Sequence, residues 1–129
     1  MRGDGIKTMN KILIVEDEAL NLDLLVQLLE DDYELISARD GGSGIELAAA
    51  ERPDLILMDM SMPVINGWTA AREIRGNPDL AHIPIIGLSA HAMEGDRKKA
   101  MDDGCDDYLT KPVDEDQLFE TIEKCLEKD

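Results

Sequence analysis

Short apolar runs and amphipathic stretches alternate along this chain with a regularity that sets its fold class before any single residue is considered. KILIV at 11–15 forms an apolar run, and over 18–30 Leu22, Leu25, Leu28 and Leu29 fall on one helical face. The pattern predicts a second strand over 33–38 and a helix over 41–50, ended by the Arg52-Pro53 pair. A third strand follows over 55–58, then a helix over 66–75 that stops at Gly76-Asn77-Pro78. The fourth strand is expected over 83–88, with a short polar helix over 94–103 and Gly104 behind it. Residues 108–110 read as the fifth strand and 114–126 as the last helix, with Leu118, Ile122 and Leu126 at four-residue spacing.

Strand alternating with helix throughout predicts an α/β fold, a parallel sheet covered on both faces. The first, third and fourth runs are continuously apolar, as strands buried on both faces must be, and the second and fifth are more polar, as edges are. That distribution suits a doubly wound, five-stranded sheet in the flavodoxin-like order 2-1-3-4-5, whose ligands bind beyond the carboxyl ends of the central strands. A chain of 129 residues corresponds to about one domain, here placed at 11–127. Residues 1–10 read as an N-terminal extension, with Met9 as an alternative start.

Composition narrows the class. Hydrophobic residues make up 43% of the chain, enough for a core. No apolar run approaches the roughly 18 residues of a membrane span, and no apolar signal region opens the chain, so a cytoplasmic location is expected. Twenty-nine acids against thirteen bases leave a net charge of −16. Such a surface repels phosphate backbones and anionic headgroups, which argues against direct nucleic-acid or membrane binding. Aromatics, at 3%, offer little for base stacking. Cys105 and Cys125 lack metal-type spacing and read as reduced thiols. Proteins and a divalent cation are the partners left.

The residues at the expected strand ends carry chemistry. Glu16, Asp17 and Glu18 follow the first strand, Asp59 the third, Ser89 the fourth and Lys111 the fifth. The fold would gather carboxylates, a hydroxyl and an ammonium from distant positions into one pocket. Crowded carboxylates repel and raise one another's pKa unless a cation neutralises them. Oxygen-only ligands suit Mg²⁺, with Mn²⁺ as a substitute, and a carboxylate can attack phosphorus to form an aspartyl phosphate. Phosphoryl transfer then needs positioning and charge neutralisation, which the cation, Lys111 and Ser89 could supply.

From Lys11 to Leu126 the sequence resembles the receiver domain of response regulators in two-component signalling, through ILIVEDE, DLILMDMSMP followed by NGW, PIIGLSA, and DGCDDYLTKP in order. The resemblance implies that Asp59 accepts the phosphoryl group. It implies that Glu16 and Asp17 hold Mg²⁺, Asp17 directly and Glu16 through water, together with Asp59 and the backbone carbonyl of Ser61. Ser89 would turn to bond the phosphoryl group, Tyr108 would swing inward behind it, and Lys111 would pair with a phosphoryl oxygen before a cis Lys111-Pro112 bond. The expected partners are a histidine kinase or histidine phosphotransfer protein and a downstream protein target. The expected role is a stand-alone switch that catalyses its own phosphotransfer and dephosphorylation without being an enzyme for other substrates. Two departures stand out: the acid pair is Glu-Asp where many members carry Asp-Asp, and the hydroxyl is Ser89 where Thr is commoner. Ser61 and His91 resemble positions that tune phosphate lifetime.

Other readings remain open at this stage. The chain could be a receiver excised from a hybrid kinase or longer regulator, or an interaction module that is never phosphorylated. A flavodoxin-like cofactor carrier is disfavoured, because Glu16-Asp17-Glu18 would repel a phosphate. An aspartate-nucleophile phosphatase would carry its nucleophile after the first strand, where only the metal acids stand. Taken singly, the first-loop acids could merely favour a helix N-terminus, Asp59 could form a turn and Lys111 could be solvated. Tyr108 and Trp68 could be packing residues, His82 and His91 ordinary surface histidines, and Met58, Met60 and Met62 fillers of core and loop gaps.

Overall fold

Parallel pairing joins β1 (Lys11–Val15), β2 (Glu34–Ala38), β3 (Leu55–Asp59), β4 (Ile85–Ser89) and β5 (Asp107–Thr110) in the order β2-β1-β3-β4-β5. The helices between them are α1 (Ala19–Leu29), α2 (Gly41–Glu51) and α3 (Gly67–Arg75), and α4 (Glu115–Glu127) follows β5. The computed structural model describes residues 9–60, 67–89, 98, 99, 101, 102 and 104–127. Most of the polar helix expected over 94–103 lies outside them, although Lys98, Lys99, Met101 and Asp102 are helical. Ser61, Met62, His91 and the Trp68 side chain also lie outside the described residues.

Fold class and strand order match the sequence expectation, and the differences at element ends have local causes. β2 starts at Glu34 and not at Tyr33, because the Tyr33 N–H closes α1 by donating to the Leu29 carbonyl. β4 starts at Ile85 and not at Ile83: Pro84 has no N–H to give a ladder, and the Ile83 N–H is bonded to the Leu80 carbonyl. β3 and β4 run one residue further than expected, so Asp59 and Ser89 close their strands. The ladder continues there, with the Met60 N–H donating to the Leu88 carbonyl and the Lys111 N–H to the Ser89 carbonyl.

Side chains alternate across the sheet with period two. Leu13 and Val15 of β1, Ile56 and Met58 of β3, Ile85 of β4 and Tyr108 of β5 face one core, which Ala48 of α2 and Ala70, Ala71 and Ile74 of α3 complete. Ile12, Ile14, Leu55, Leu57, Ile86, Leu88 and Leu109 face the other, closed by Leu25 and Leu29 of α1 and Leu118, Ile122 and Cys125 of α4. The result is a three-layer sandwich in which β1, β3 and β4 are buried on both faces. Met58 and Met60 pack in the core, and both cysteines are buried and outside any disulfide. His82 is exposed. Among the described residues no helix is long and apolar enough to cross a membrane.

Local devices orient the helices. Asp40, extended at the head of α2, accepts the Ser43 N–H at 2.8 Å and satisfies one of the donors a helix start leaves free. At the end of α3, the Arg75 guanidinium donates to the Gly104 carbonyl, the Ala81 carbonyl and the Asp106 carboxylate. Gly104 has φ +118°, a conformation that side-chain-bearing residues rarely adopt. Asp106 Oδ2 also accepts the Ile85 N–H at 2.9 Å, so one carboxylate ties α3 to the start of β4. Asp106→Ala takes away the acceptor of the buried Ile85 N–H and the ion pair with Arg75, and is expected to lower the unfolding free energy by about 1–3 kcal/mol in urea denaturation. An unchanged midpoint would mean that this clasp contributes nothing.

Candidate functional site

β1 and β3 are neighbours in register, with Val15 opposite Met58, so the chain leaving β1 passes beside the end of β3. Glu16 still belongs to the ladder on its other side, where its N–H donates to the Ala38 carbonyl at 3.0 Å. Its side chain is fully buried and turns back so that Oε2 accepts the Glu18 N–H at 3.2 Å, which fixes the entry to α1. Asp59 is also buried, whereas Asp17 is half-buried. Each of Glu16, Asp17 and Asp59 can offer one carboxylate oxygen within 4.8 Å of the others.

Lys111 comes from the far edge. It follows β5, its N–H bonds the Ser89 carbonyl at 2.7 Å, and the Lys111-Pro112 bond is cis. Its side chain reaches across the end of β4. Nζ donates to Glu16 Oε1 at 3.0 Å and lies 3.4 Å from Asp59 Oδ2. Glu16, Asp17, Glu18, Asn21, Asp59 and Lys111 line an open cleft of about 420 Å³.

Burial raises the Glu16 carboxyl above its ordinary value; the Lys111 hydrogen bond lowers it and the Asp59 charge raises it again. Ionised Glu16 therefore costs stability: the cost is absent below the ordinary glutamate range and grows as pH rises through the raised value. For Lys111, burial pulls the ammonium down, but the Glu16 hydrogen bond and the Asp59 charge outweigh it and leave the pKa above the usual 10.5. Its contribution is fully present below the ordinary lysine value and is lost only as pH rises beyond it through the raised one. Three acids with one ammonium keep an excess of negative charge, and their donors are all oxygen. That set suits a hard divalent cation such as Mg²⁺.

Two other expected residues, Ser89 and Tyr108, stand on β4 and β5. Ser89 is buried at the end of β4, one register position beyond Leu88, which lies opposite Asp59. Tyr108 is turned inward, 5% exposed, within the core that holds Met58 and Met60. Two contacts had no sequence signal. Lys111 bonds Glu16, a partner chosen by the packing of β1 against β3 and by the reach of a lysine over β4. Arg39, just past β2, donates from Nη2 to the Asp17 carbonyl at 2.8 Å.

Comparison with known proteins agrees with this geometry. The family model for the response regulator receiver domain matches residues 12–123. The polar-differentiation response regulator DivK of Brucella anthropi is 39% identical over 116 residues, covering 89% of this chain and 94% of that protein. The receiver domain of sensor histidine kinase PA1611 from Pseudomonas aeruginosa superposes with a TM-score of 0.87 at 34% identity, covering 94% of this chain and all of that one. That crystal structure has a magnesium ion coordinated in its active-site cleft. A response regulator from Chloroflexus aurantiacus superposes with a TM-score of 0.90 at 25% identity, over 94% of this chain and 100% of the other. With its strands in the order β2-β1-β3-β4-β5 and acids, hydroxyl and lysine gathered at their carboxyl ends, this chain belongs to the response regulator receiver domain family.

Proposed function

We propose that Asp59 is the phosphoryl acceptor of a two-component switch and that residues 11–127 form its receiver domain. The carrying observation is the ammonium of Lys111, 3.4 Å from a buried Asp59 at the floor of an open, acid-lined cleft. A phosphohistidine of a histidine kinase or phosphotransfer protein is the donor. One Asp59 carboxylate oxygen attacks phosphorus, the P–N bond breaks, and its electron pair returns to the imidazole nitrogen, which takes a proton. Lys111 stays beside the oxygen that gains charge, and the Ser89 hydroxyl turns to donate to the phosphoryl group. Asp17, Asp59, the Ser61 carbonyl and, through water, Glu16 would hold Mg²⁺ or Mn²⁺. The cation supplies charge neutralisation at the phosphoryl oxygens. The chain thus promotes its own phosphotransfer and dephosphorylation while acting as a switch and not as an enzyme on other substrates.

Signalling follows from the same site. Ser89 and the inward Tyr108 lie on neighbouring strands, so a hydroxyl drawn towards a new dianion biases how the fifth-strand edge packs. A downstream protein reads that change. We place the protein in the cytoplasm and, given its charge of −16, assign it no direct contact with nucleic acid or membrane. The donor's docking surface is the outer side of α1. Leu20 and Leu24 are 77% and 47% exposed there. Beside them, Leu25, Leu28, Pro112 and Val113 line an apolar groove that shares Glu16 and Lys111 with the acid cleft.

Acetyl phosphate with Mg²⁺ is expected to add one phosphoryl group by mass, and Asp59→Asn to add none; equal labelling of the variant would remove Asp59 as acceptor. Mg²⁺ at about a hundred times its dissociation constant should stabilise the fold by about 2.7 kcal/mol in thermal or urea unfolding, and Asp17→Asn should lose that gain. Leu20→Asp with Leu24→Asp should slow transfer from a phosphorylated donor protein by about tenfold or more and leave labelling by acetyl phosphate unchanged, since a small donor needs no docking surface.

A further inference from the structure

The geometry points to Arg39 as a positioning residue for the cation site, acting through the backbone of Asp17 and not through the metal itself. This rests on the reading of Glu16, Asp17 and Asp59 as a magnesium site. The loop leaving β1 carries the acids, yet its parts are held unequally. Glu16 is fixed at both ends, by its N–H on the Ala38 carbonyl and by its carboxylate on the Glu18 N–H and on Lys111. Glu18 is fixed as the residue before α1, its carbonyl accepting the Leu22 N–H. Asp17 stands between them, half-exposed, and among the described residues the bond from Arg39 Nη2 to its carbonyl at 2.8 Å is the hydrogen bond that reaches it.

Arg39 is well placed to act as that strut. The residue before it, Ala38, is locked opposite Val15 in the sheet, and the residue after it, Asp40, is locked by capping α2. The arginine therefore projects from an anchored base, and its guanidinium spans from the end of β2 to the loop after β1. A carbonyl held on one side of the Asp17 peptide fixes which way the Asp17 carboxylate leaves the backbone. A ligand whose orientation is set in advance binds metal more tightly than one that must be ordered on binding.

Charge alone predicts the opposite outcome, which makes the idea testable by sign. Arg39 is a cation at the rim of a cation site, so by Coulomb repulsion its removal should tighten Mg²⁺ binding. Under the positioning role, Arg39→Ala weakens Mg²⁺ binding by about tenfold in isothermal titration calorimetry, as loss of an outer support to a metal ligand does. Arg39→Lys, which keeps the charge and loses the planar fork, recovers only part of that loss. The phosphorylation rate with acetyl phosphate returns to the wild-type value at saturating Mg²⁺. The urea midpoint without metal stays at the wild-type value, because Arg39 is exposed. Equal or tighter Mg²⁺ binding by Arg39→Ala overturns the inference, as does a fall in the metal-free midpoint large enough to account for the lost affinity. If the wild-type chain itself binds no Mg²⁺, the reading of the site fails first; if it binds and Arg39→Ala matches it, only the positioning role fails.

Discussion

The ion pair between Lys111 and the two buried acids Glu16 and Asp59 is the interaction on which the carboxyl edge of the sheet depends. Carboxylates gathered this closely repel, and burial adds to the cost by raising the Glu16 pKa. A single ammonium, drawn from the opposite edge of the sheet, offsets part of that cost. It does so without filling the cleft, so the remaining negative charge is directed at solvent. The site is thus held together by a charge it already owns and left with a deficit that a divalent cation can meet.

The sheet makes this arrangement inexpensive to specify. Alternation along β1 and β3 sends the side chains from Ile12 to Val15 and from Leu55 to Met58 into one of two apolar cores. Glu16 and Asp59, directly beyond them, are buried at the carboxyl edge of the sheet, where Lys111 pairs with both. The carboxyl ends of β1, β3, β4 and β5 share that edge. Parallel pairing is the physical cause: antiparallel neighbours would have sent alternate strand ends to opposite edges.

Side chains also tie separate elements together through hydrogen bonds to backbone carbonyls and N–H groups. Arg75 holds the Gly104 and Ala81 carbonyls while Asp106 holds the Ile85 N–H, and Arg39 holds the Asp17 carbonyl. The Arg75 and Asp106 contacts hold the amino end of β4, and the Arg39 contact holds the acid loop at the carboxyl end of the sheet.

Periodicity alone determined the α/β class and which strands are central and which are edges, a distribution that suits the order found, because burial on two faces demands uninterrupted apolar runs. The motifs in ILIVEDE, LMDMSMP, GLSA and YLTKP located Glu16, Asp17, Asp59, Ser89 and Lys111 at strand ends, since charged residues directly after buried strands can only sit at an edge. Element ends were less legible, and Tyr33, Ile83, Asp59 and Ser89 shifted by one or two positions. Their assignment turns on single hydrogen bonds to Leu29, Leu80 and Leu88 that no propensity encodes. Only the tertiary structure decided that Lys111 bonds Glu16 as well as facing Asp59, that Tyr108 packs inward, and that Arg39 reaches the loop of Asp17. Each of those contacts joins residues from separate strands or loops, and its geometry follows from strand register and side-chain reach, quantities that exist only once the chain has folded.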